Sequence, residues 1–315
     1  MNDAPVIRCK SLAKEFASVK ALDDITLEVR KGELFGLVGP DGAGKSTLMR
    51  LLTAVMEPTS GDAWVASHHI VKEPEQIKEK IAYMPQRFGL YEDLTVMENI
   101  VFYADIFSVP RNERPSRIER LLGFSNLTPF TDRLAGQLSG GMKQKLGLAC
   151  ALIHTPEIVF LDEPTNGVDP VSRRDFWKIL YELLREGVTI FVSTSYLDEA
   201  ERCTGIGLIY EGRLLEKDTP GAIKARHAMP MIEVWSEDAR AITQILKDHE
   251  RVTGIGIYGD RLHIGLRDHG DIPALMALLS EKNCNVEEHR EIAPSIEDIF
   301  FSMIGTKTHS EKENE

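Results

Sequence analysis

The stretch between residues 39 and 47 constrains the fold of this chain more than any other feature. Its glycines let the backbone wrap closely around an anion, so that successive N–H groups point inward. The lysine of such a loop reaches the β- and γ-phosphates of a nucleoside triphosphate, and the hydroxyl after it can hold Mg²⁺. The pattern therefore predicts a phosphate-binding loop (P-loop). In order, its residues are Gly39, Pro40, Asp41, Gly42, Ala43, Gly44, Lys45, Ser46 and Thr47.

The residues on either side of the P-loop support this prediction. Glu33 to Val38 is an apolar run typical of a short buried strand, and Thr47 to Val55 has the periodicity of a helix. The N-terminal end of that helix would direct its positive dipole at the phosphates. A strand, a P-loop and a helix in this order predict a nucleotide-binding core near the N-terminus.

Length and charge limit the classes of protein to consider. A chain of 315 residues is long enough for two domains with buried cores. The net charge is −12 and basic runs are short, which disfavours nucleic acid as a partner. The longest apolar runs, such as Ile158 to Leu161, are far shorter than the roughly 20 residues of a membrane helix. We expect a soluble chain, and any membrane-spanning part would have to come from another polypeptide.

The cysteines and the N-terminus indicate a reducing compartment. The cysteines are scattered without C-x-x-C pairs, which favours core thiols over a disulfide framework or a zinc site. The N-terminus has no basic segment followed by an apolar core, so we expect no secretory signal. The cysteines are Cys9, Cys150, Cys203 and Cys284.

The first two-thirds of the chain alternate between strand-like runs and helical periodicity, which predicts a mostly parallel sheet covered by helices. Strand signals disappear from about residue 87 to residue 155, where the patterns are helical. Thr95 and Glu98 form a capping box that opens one helix, Pro115 to Leu122 predicts another, and Ser139 begins a third. We therefore predict a helical subdomain inserted into the α/β core.

The composition changes after Gly221, and Lys224 to Pro230 resembles a linker. The remaining chain predicts the order β-α-β-β-α-β, which matches the ferredoxin-like plan of a small α+β domain. We predict a nucleotide-binding domain over 1–225, this accessory domain over 226–304 and a disordered tail over 305–315. The predicted elements are Met231 to Trp235, Ala239 to Asp248, Val252 to Ile257, Arg261 to Leu266, Ile272 to Glu281, Val286 to Glu291 and a closing helix from Ile296 to Met303.

A second motif, an apolar strand ending in two carboxylates, lies downstream of the P-loop at Ile158 to Glu163. An ATPase needs one acid at such a position to bind Mg²⁺ through the metal's waters and a second to orient the attacking water. We assign Asp162 to the metal and Glu163 to general base catalysis. The alternative, a buried strand that ends in a polar turn, would be favoured only if the P-loop were absent.

The residues Ser139, Gly140 and Gly141 indicate a second anion-binding site. A serine at a helix N-cap followed by two glycines provides open backbone and a positive helix dipole. The chain thus has two such helix termini for one set of phosphates. We infer that ATP is sandwiched between two chains.

Taken together, these motifs resemble those of the ATP-binding cassette (ABC) family. Gly39 to Thr47 matches its Walker A motif, Phe160 to Glu163 its Walker B motif and Leu138 to Gly141 its signature motif. The resemblance extends from Val6 to about Lys224. It implies a P-loop NTPase fold that binds ATP and Mg²⁺.

The same resemblance implies roles for three further residues. Gln86 is similar to the family's Q-loop glutamine, which implies a contact to the metal and a part in catalysis. Asp169 matches the D-loop aspartate, and Phe16 matches the aromatic residue that stacks on adenine. The predicted metal ligands are then Ser46, Gln86 and Asp162.

Within the family, the chain most resembles subunits of bacterial drug and efflux exporters. Tyr91 to Asn99 lies where such subunits receive a coupling helix from a polytopic membrane permease, although an ordinary capped helix start explains its pattern equally well. The C-terminal segment from Pro294 to Phe300 is similar to their accessory domain. The resemblance implies an ATPase that dimerises on ATP and works peripherally at the cytoplasmic face of the inner membrane. The transported substrate is not encoded in these residues.

Three positions depart from the family pattern. Ser195 occupies the switch position that normally holds a catalytic histidine, Asp41 replaces an asparagine of the P-loop, and Met142 replaces a glutamine of the signature. A charge-assisted hydrogen bond is worth about 1.5–3 kcal/mol, so its loss at residue 195 would slow hydrolysis roughly ten- to a hundred-fold.

These departures leave two arrangements open. In one, hydrolysis at this chain's own P-loop is weak and a non-identical partner completes a better site. In the other, the chain is a homodimer in which Glu163 orients water well enough alone. A regulatory cassette and a cytosolic ABC ATPase without a membrane partner are the alternative functions.

Overall fold

The computed structural model describes residues 4–247 and 249–312, with side chains described as far as residue 304. The chain forms two compact units that divide between Lys217 and Asp218. The sequence analysis placed this boundary at residue 225. The linker predicted from Lys224 is in part a helix, Pro220–Arg226, because the Thr219 hydroxyl accepts a hydrogen bond from the N–H of Ala222 and caps it.

The first unit contains two sheets and most of the helices. Its elements, in chain order, are β1 (Pro5–Phe16), β2 (Val19–Arg30), β3 (Leu34–Val38), α1 (Lys45–Leu52), β4 (Ser60–Val65), β5 (His68–His69), α2 (Pro74–Lys80), β6 (Ile81–Met84), α3 (Val96–Ile106), α4 (Arg114–Ser125), α5 (Gly140–Leu152), β7 (Ile158–Asp162), α6 (Pro170–Arg185), β8 (Thr189–Thr194), α7 (Leu197–Ala200), β9 (Gly205–Tyr210) and β10 (Arg213–Asp218).

The larger sheet has six strands in the order β10-β9-β3-β8-β7-β6. Neighbours from β9 to β6 pair in parallel, which confirms the predicted mostly parallel α/β core. Every residue of β3, β7 and β8 is buried, as expected for central strands of a sheet that is covered on both faces. The carboxyl ends of these three strands lie at one edge, which is where ligands bind in open α/β sheets.

The second sheet is antiparallel, with the order β2-β1-β4-β5. The sequence predicts a mostly parallel sheet and does not distinguish these antiparallel strands. Burial alternates along most of β2, as expected for strands with one face against a core. This sheet and the P-loop helix α1 contribute to the same hydrophobic core.

The helical subdomain lies between β6 and β7, as predicted. Its first helix, α3, opens with the capping box: the N–H of Glu98 donates to Thr95 Oγ1 at 3.1 Å, and the N–H of Thr95 donates to Glu98 Oε2 at 2.8 Å. Its last helix, α5, is capped by Ser139, whose Oγ accepts from the N–H of Met142 at 3.3 Å. The predicted helix from Pro115 to Leu122 is the longer α4.

The second unit follows the predicted β-α-β-β-α-β order. Its antiparallel sheet has the order β12-β13-β11-β14, and apolar residues of α9 and α10 pack with it in one core. Among the described residues, no helix is both long and apolar enough to cross a lipid bilayer. The elements are α8 (Pro220–Arg226), β11 (Met231–Trp235), α9 (Ala239–Leu246), β12 (Val252–Tyr258), β13 (Arg261–Leu266), α10 (Ile272–Glu281), β14 (Glu288–Ile292) and α11 (Ile296–Lys312).

The last helix differs from its prediction in length. The sequence predicts that it ends at Met303 and that a disordered tail follows over 305–315. In the structure the backbone of α11 is helical to Lys312, and the remaining residues of the predicted tail, 313–315, lie outside the described residues. The polar residues after Met303 include Lys and Glu, which are good helix formers, so they can continue an established helix without an apolar face.

Candidate nucleotide-binding site

The P-loop connects β3 to α1, and its glycines have conformations and neighbours that other residues would not tolerate. Gly42 and Gly44 have positive φ angles of 80° and 103°. A Cβ atom on Gly39 would lie 2.1 Å from the backbone oxygen of Ile209 in the neighbouring strand β9. The loop can therefore bend back over the sheet edge and leave its N–H groups open to a ligand.

Lys45 is the first residue of α1 and is only 5% exposed. Its Nζ donates hydrogen bonds to the backbone oxygens of Gly39 at 2.8 Å and Pro40 at 3.0 Å. The same Nζ lies 2.9 Å from Glu163 Oε1, in an ion pair that is buried on both sides. The predicted phosphate-binding cation and the predicted general base are therefore direct partners.

Glu163 follows β7 directly and has a left-handed backbone conformation with φ 51°, which is unusual for a glutamate. Its Oε2 accepts hydrogen bonds from the N–H and the Oγ of Ser195, both at 3.2 Å. Its own N–H donates to Ser193 Oγ at 3.0 Å. Strained backbone of this kind persists only where the surroundings fix it, and it clusters at functional sites.

Asp162 and Ser46 provide the oxygen atoms of a candidate metal site. Ser46 Oγ donates to Asp162 Oδ1 at 3.0 Å, and Ser193 Oγ donates to the same atom at 2.7 Å. Asp162 is 2% exposed. Hydroxyl and carboxylate oxygens are the protein ligands that suit Mg²⁺, which keeps several waters and uses few carboxylates. This donor set therefore fits the predicted metal.

An open cavity of about 320 Å³ lies beside these groups. P-loop residues, the predicted general base and the predicted Q-loop residue all line it. The residues that line it are Asp41, Gly42, Gly44, Lys45, Ser46, Thr47, Gln86 and Glu163.

Comparisons with known proteins agree with this geometry. A family model described as ABC transporter matches residues 22–166. The chain is 42% identical to the probable multidrug ABC transporter ATP-binding protein YbhF of Escherichia coli (strain K12), over 99% of this chain and 54% of YbhF. It is 31% identical to the daunorubicin resistance ATP-binding protein DrrA2 of Streptomyces coeruleorubidus, over 99% of each chain. This chain belongs to the ABC transporter ATP-binding protein family.

A solved ABC cassette has the same core fold. The dimeric structure of MJ0796, described as a bacterial ABC transporter cassette, matches with a TM-score of 0.62 and 26% identity, over 68% of this chain and 98% of MJ0796. The present chain spans only about half the length of YbhF.

Other residues of the ABC motifs lie apart from this cavity. Phe16 of β1 is 43% exposed, and the ammonium group of Lys14 lies 5.1 Å from the centroid of its ring. The signature residues Ser139 and Gly140 are exposed at the start of α5, while Gly141 is buried. Among the described residues that line the cavity, none comes from β1 or from the signature motif.

Gly141 and Asp169, the residue that matches the D-loop aspartate, both contact Ser172 in the first turn of α6. A Cβ atom on Gly141 would lie 2.4 Å from Cβ of Ser172, so only glycine fits this contact. Asp169 Oδ1 accepts from the N–H groups of Ser172 at 2.9 Å and Val171 at 3.1 Å. Hydrogen bonds from Ser172 and Val171 lower the pKa of Asp169, which keeps it ionised as the cap of α6.

The sequence analysis missed two buried residues behind the site. Ser193 is fully buried and bridges Asp162 and the backbone of Glu163. Glu199 is also fully buried and accepts hydrogen bonds from three segments around the site. In the sequence, the pair Asp198-Glu199 resembles the acidic first turn of any helix, so no local signal marks Glu199 as a buried group.

Proposed function

We propose that this chain is the ATP-hydrolysing subunit of an ABC exporter of the drug-efflux type. ATP would bind at the P-loop of one cassette, a second cassette would close over it through its signature helix, and hydrolysis would reopen the pair. The observation that carries this proposal is the cavity in which Lys45, Ser46, Gln86 and Glu163 converge. The names of the relatives YbhF, a probable multidrug transporter protein, and DrrA2, a daunorubicin resistance protein, support drugs as the class of cargo.

The residues around the cavity divide the work of binding. Lys45 would neutralise the β- and γ-phosphates, while the N-terminal end of α1 directs its dipole at them. Ser46, Asp162 and Gln86 would hold Mg²⁺. When bound, this ion neutralises charge that develops on the transferred phosphoryl group.

Glu163 would act as the general base that accepts a proton from the attacking water. In the structure its Oε1 is paired with Lys45 at 2.9 Å. The phosphates of ATP would compete for the same ammonium group, and their binding would release Oε1 toward the water. Substrate binding and activation of the base would thus be linked through one lysine.

The assembly we propose contains two cassettes and a polytopic membrane permease. The dimeric state of MJ0796 supports pairing of cassettes, and the exposed Ser139 and Gly140 are available to a partner's nucleotide. The sites would face the cytoplasm at the inner membrane. For the second unit we propose a ferredoxin-like domain, because its helix–strand order and its sheet order fit that plan.

Two measurements test this proposal, one on the purified chain and one on membranes. We expect ATP with Mg²⁺ to draw the protein into pairs in sedimentation experiments, alone or with a second cassette. We also expect a polytopic membrane protein to co-purify from detergent-solubilised membranes of the source cells. Failure of nucleotide to bind or to produce pairs would contradict it, and co-purification with ribosomes instead would favour the cytosolic ABC ATPase.

A weakly hydrolysing cassette is the second candidate, and the position of Ser195 favours it. The N–H and the hydroxyl of Ser195 both donate to Glu163 Oε2. The serine side chain is also shorter than that of histidine, so its hydroxyl reaches less far than an imidazole. A γ-phosphate would therefore lack the donor that histidine supplies in the family. Asp41, which lines the cavity, adds an anion near the triphosphate.

We therefore expect Ser195→His to raise kcat for ATP roughly ten- to a hundred-fold, because it restores a charge-assisted hydrogen bond. Steady-state phosphate release from the purified protein measures this, with Ser195→Ala as the matched variant that removes the hydroxyl and supplies no imidazole. Unchanged turnover in Ser195→His would contradict the weak-site hypothesis and support a homodimer in which Glu163 suffices.

A further inference from the structure

Glu199 is a buried carboxylate that lies outside the nucleotide cavity, in α7, and its exposed fraction is 0%. Thr165 Oγ1 donates a hydrogen bond to this carboxylate and lies 2.9 Å from Oε1 and 3.0 Å from Oε2. Thr194 Oγ1 donates to Oε2 at 2.9 Å, and Trp177 Nε1 donates to Oε1 at 3.0 Å. One carboxylate thus holds three donors from three different segments.

Two of these segments carry the hydrolytic residues. Thr165 lies in the turn that follows Glu163. Thr194 precedes Ser195 directly, and its Oγ1 also accepts from the N–H of Tyr196 at 3.0 Å. Glu199 therefore fixes the loop after the general base against the loop that carries the switch residue.

The third segment is α6, which begins at the D-loop residue Asp169. Besides Trp177, this helix supplies Arg173, whose Nε lies 3.7 Å from Glu199 Oε1. The guanidinium carbon of Arg173 also lies 4.0 Å from the centre of the Tyr196 ring, in a cation–π contact. Movement of the start of α6 would therefore act on the switch loop through Glu199 and Tyr196.

Because Glu199 is buried, this network restricts how the three segments can be placed relative to one another. A carboxylate without water is stable only when its donors stay in place, and donors that lose it remain buried and unpaired. The network therefore favours one relative position of the three segments over others.

From these contacts we propose that Glu199 is a positioning residue for hydrolysis. It would transmit a movement of the start of α6, which packs against the signature residue Gly141, to Ser195 and Glu163, without touching the nucleotide. This inference rests on the proposed ATPase function. It predicts that Glu199 sets kcat and leaves ATP affinity to the P-loop.

The test compares matched variants in whichever form of the protein turns over ATP, alone or with its second cassette. Glu199→Ala removes the acceptor, and Glu199→Gln keeps one carbonyl oxygen. Thr165→Val and Thr194→Val each remove one donor, whereas Thr165→Ser and Thr194→Ser keep the hydroxyl. The threonine pairs keep the test decisive if Glu199→Ala does not fold.

We expect Glu199→Ala to lower kcat about ten- to a hundred-fold, with Glu199→Gln between it and the wild type. Affinity for a fluorescent ATP analogue should change by less than about two-fold, because the P-loop contacts remain. Each valine variant should lower kcat and its serine counterpart should restore it. In the double variant Thr165→Val with Thr194→Val, the fold-decrease in kcat should be smaller than the product of the two single fold-decreases, because both threonines act through one carboxylate.

Other outcomes are informative in a defined way. If the wild type turns over ATP and all these variants match it, the inference is wrong while the proposed function stands. If ATP affinity falls in parallel with kcat, Glu199 supports the fold in general and the inference is again wrong. If the wild type binds no nucleotide and shows no turnover, both proposals fail.

Discussion

Glu163→Gln is expected to lower steady-state ATP turnover by at least about a hundred-fold and to leave the protein as a stable ATP-bound pair. General base catalysis typically contributes 10²- to 10⁴-fold to a rate, and the amide cannot accept the proton of the attacking water. ATP binding should survive, because Lys45 and Ser46 are unchanged. Phosphate release measures the first effect, and sedimentation in ATP and Mg²⁺ measures the second.

Glu157→Gln is the matched control for this variant. Glu157 lies just before β7, at the opposite end of the strand from Glu163, and pairs with Lys80 at the surface with 56% of its side chain exposed. The same chemical change there should leave turnover and pairing as in the wild type. If the Glu163→Gln protein still turns over ATP, the assignment of Glu163 as general base is wrong. If it binds ATP and stays monomeric, the two-cassette site is wrong.

Lys45→Met is expected to abolish ATP binding and also to destabilise the nucleotide-free protein by about 3 kcal/mol. The first effect follows from loss of the phosphate-binding cation. The second follows from the buried ion pair at 2.9 Å, because the variant leaves Glu163 Oε1 charged and without its partner. Equilibrium binding of a fluorescent ATP analogue and chemical unfolding measure the two effects separately.

The double variant Lys45→Met with Glu163→Gln distinguishes these two roles. Removing both charges eliminates the unpaired buried carboxylate, so most of the lost stability should return while ATP binding stays absent. As a surface control, Lys143→Met breaks the exposed pair with Glu92 at 2.8 Å and should change stability little. If Lys45→Met proves as stable as the wild type, the ion pair contributes nothing in the nucleotide-free protein.

Both predictions concern the buried ion pair between Lys45 and Glu163. Lys45 and Glu163 form an ion pair with each other, so neither is an isolated charge in a buried site. In the function proposed above, the phosphates of ATP would compete for the lysine and release Glu163 to act as the base. Ser195 donates a hydrogen bond to the other carboxylate oxygen of Glu163, so an ion pair holds one oxygen and a hydrogen bond holds the other.

Local patterns in the sequence were sufficient for much of the fold and site. The P-loop glycines, the capping box at Thr95 and the N-cap at Ser139 each act over a few residues, so their geometry follows from residue type and spacing. The C-terminal elements were predicted in order because alternating and helical periodicities are also local. Lys45 and Glu163 were predicted from such motifs, whereas Gln86 was predicted from the resemblance to the ABC family; all three line one cavity.

What only the tertiary structure decided depends on contacts between distant segments. The separate antiparallel sheet and the division of the chain at Lys217 arise from pairing and packing that local patterns do not encode. The ion pair of Lys45 with Glu163 and the burial of Glu199 join residues far apart in the chain. The sequence alone predicts which groups would meet a nucleotide, because most of those groups stand in short motifs. The fold determined how these groups restrain one another, because buried charges must find partners wherever the sheet brings them together.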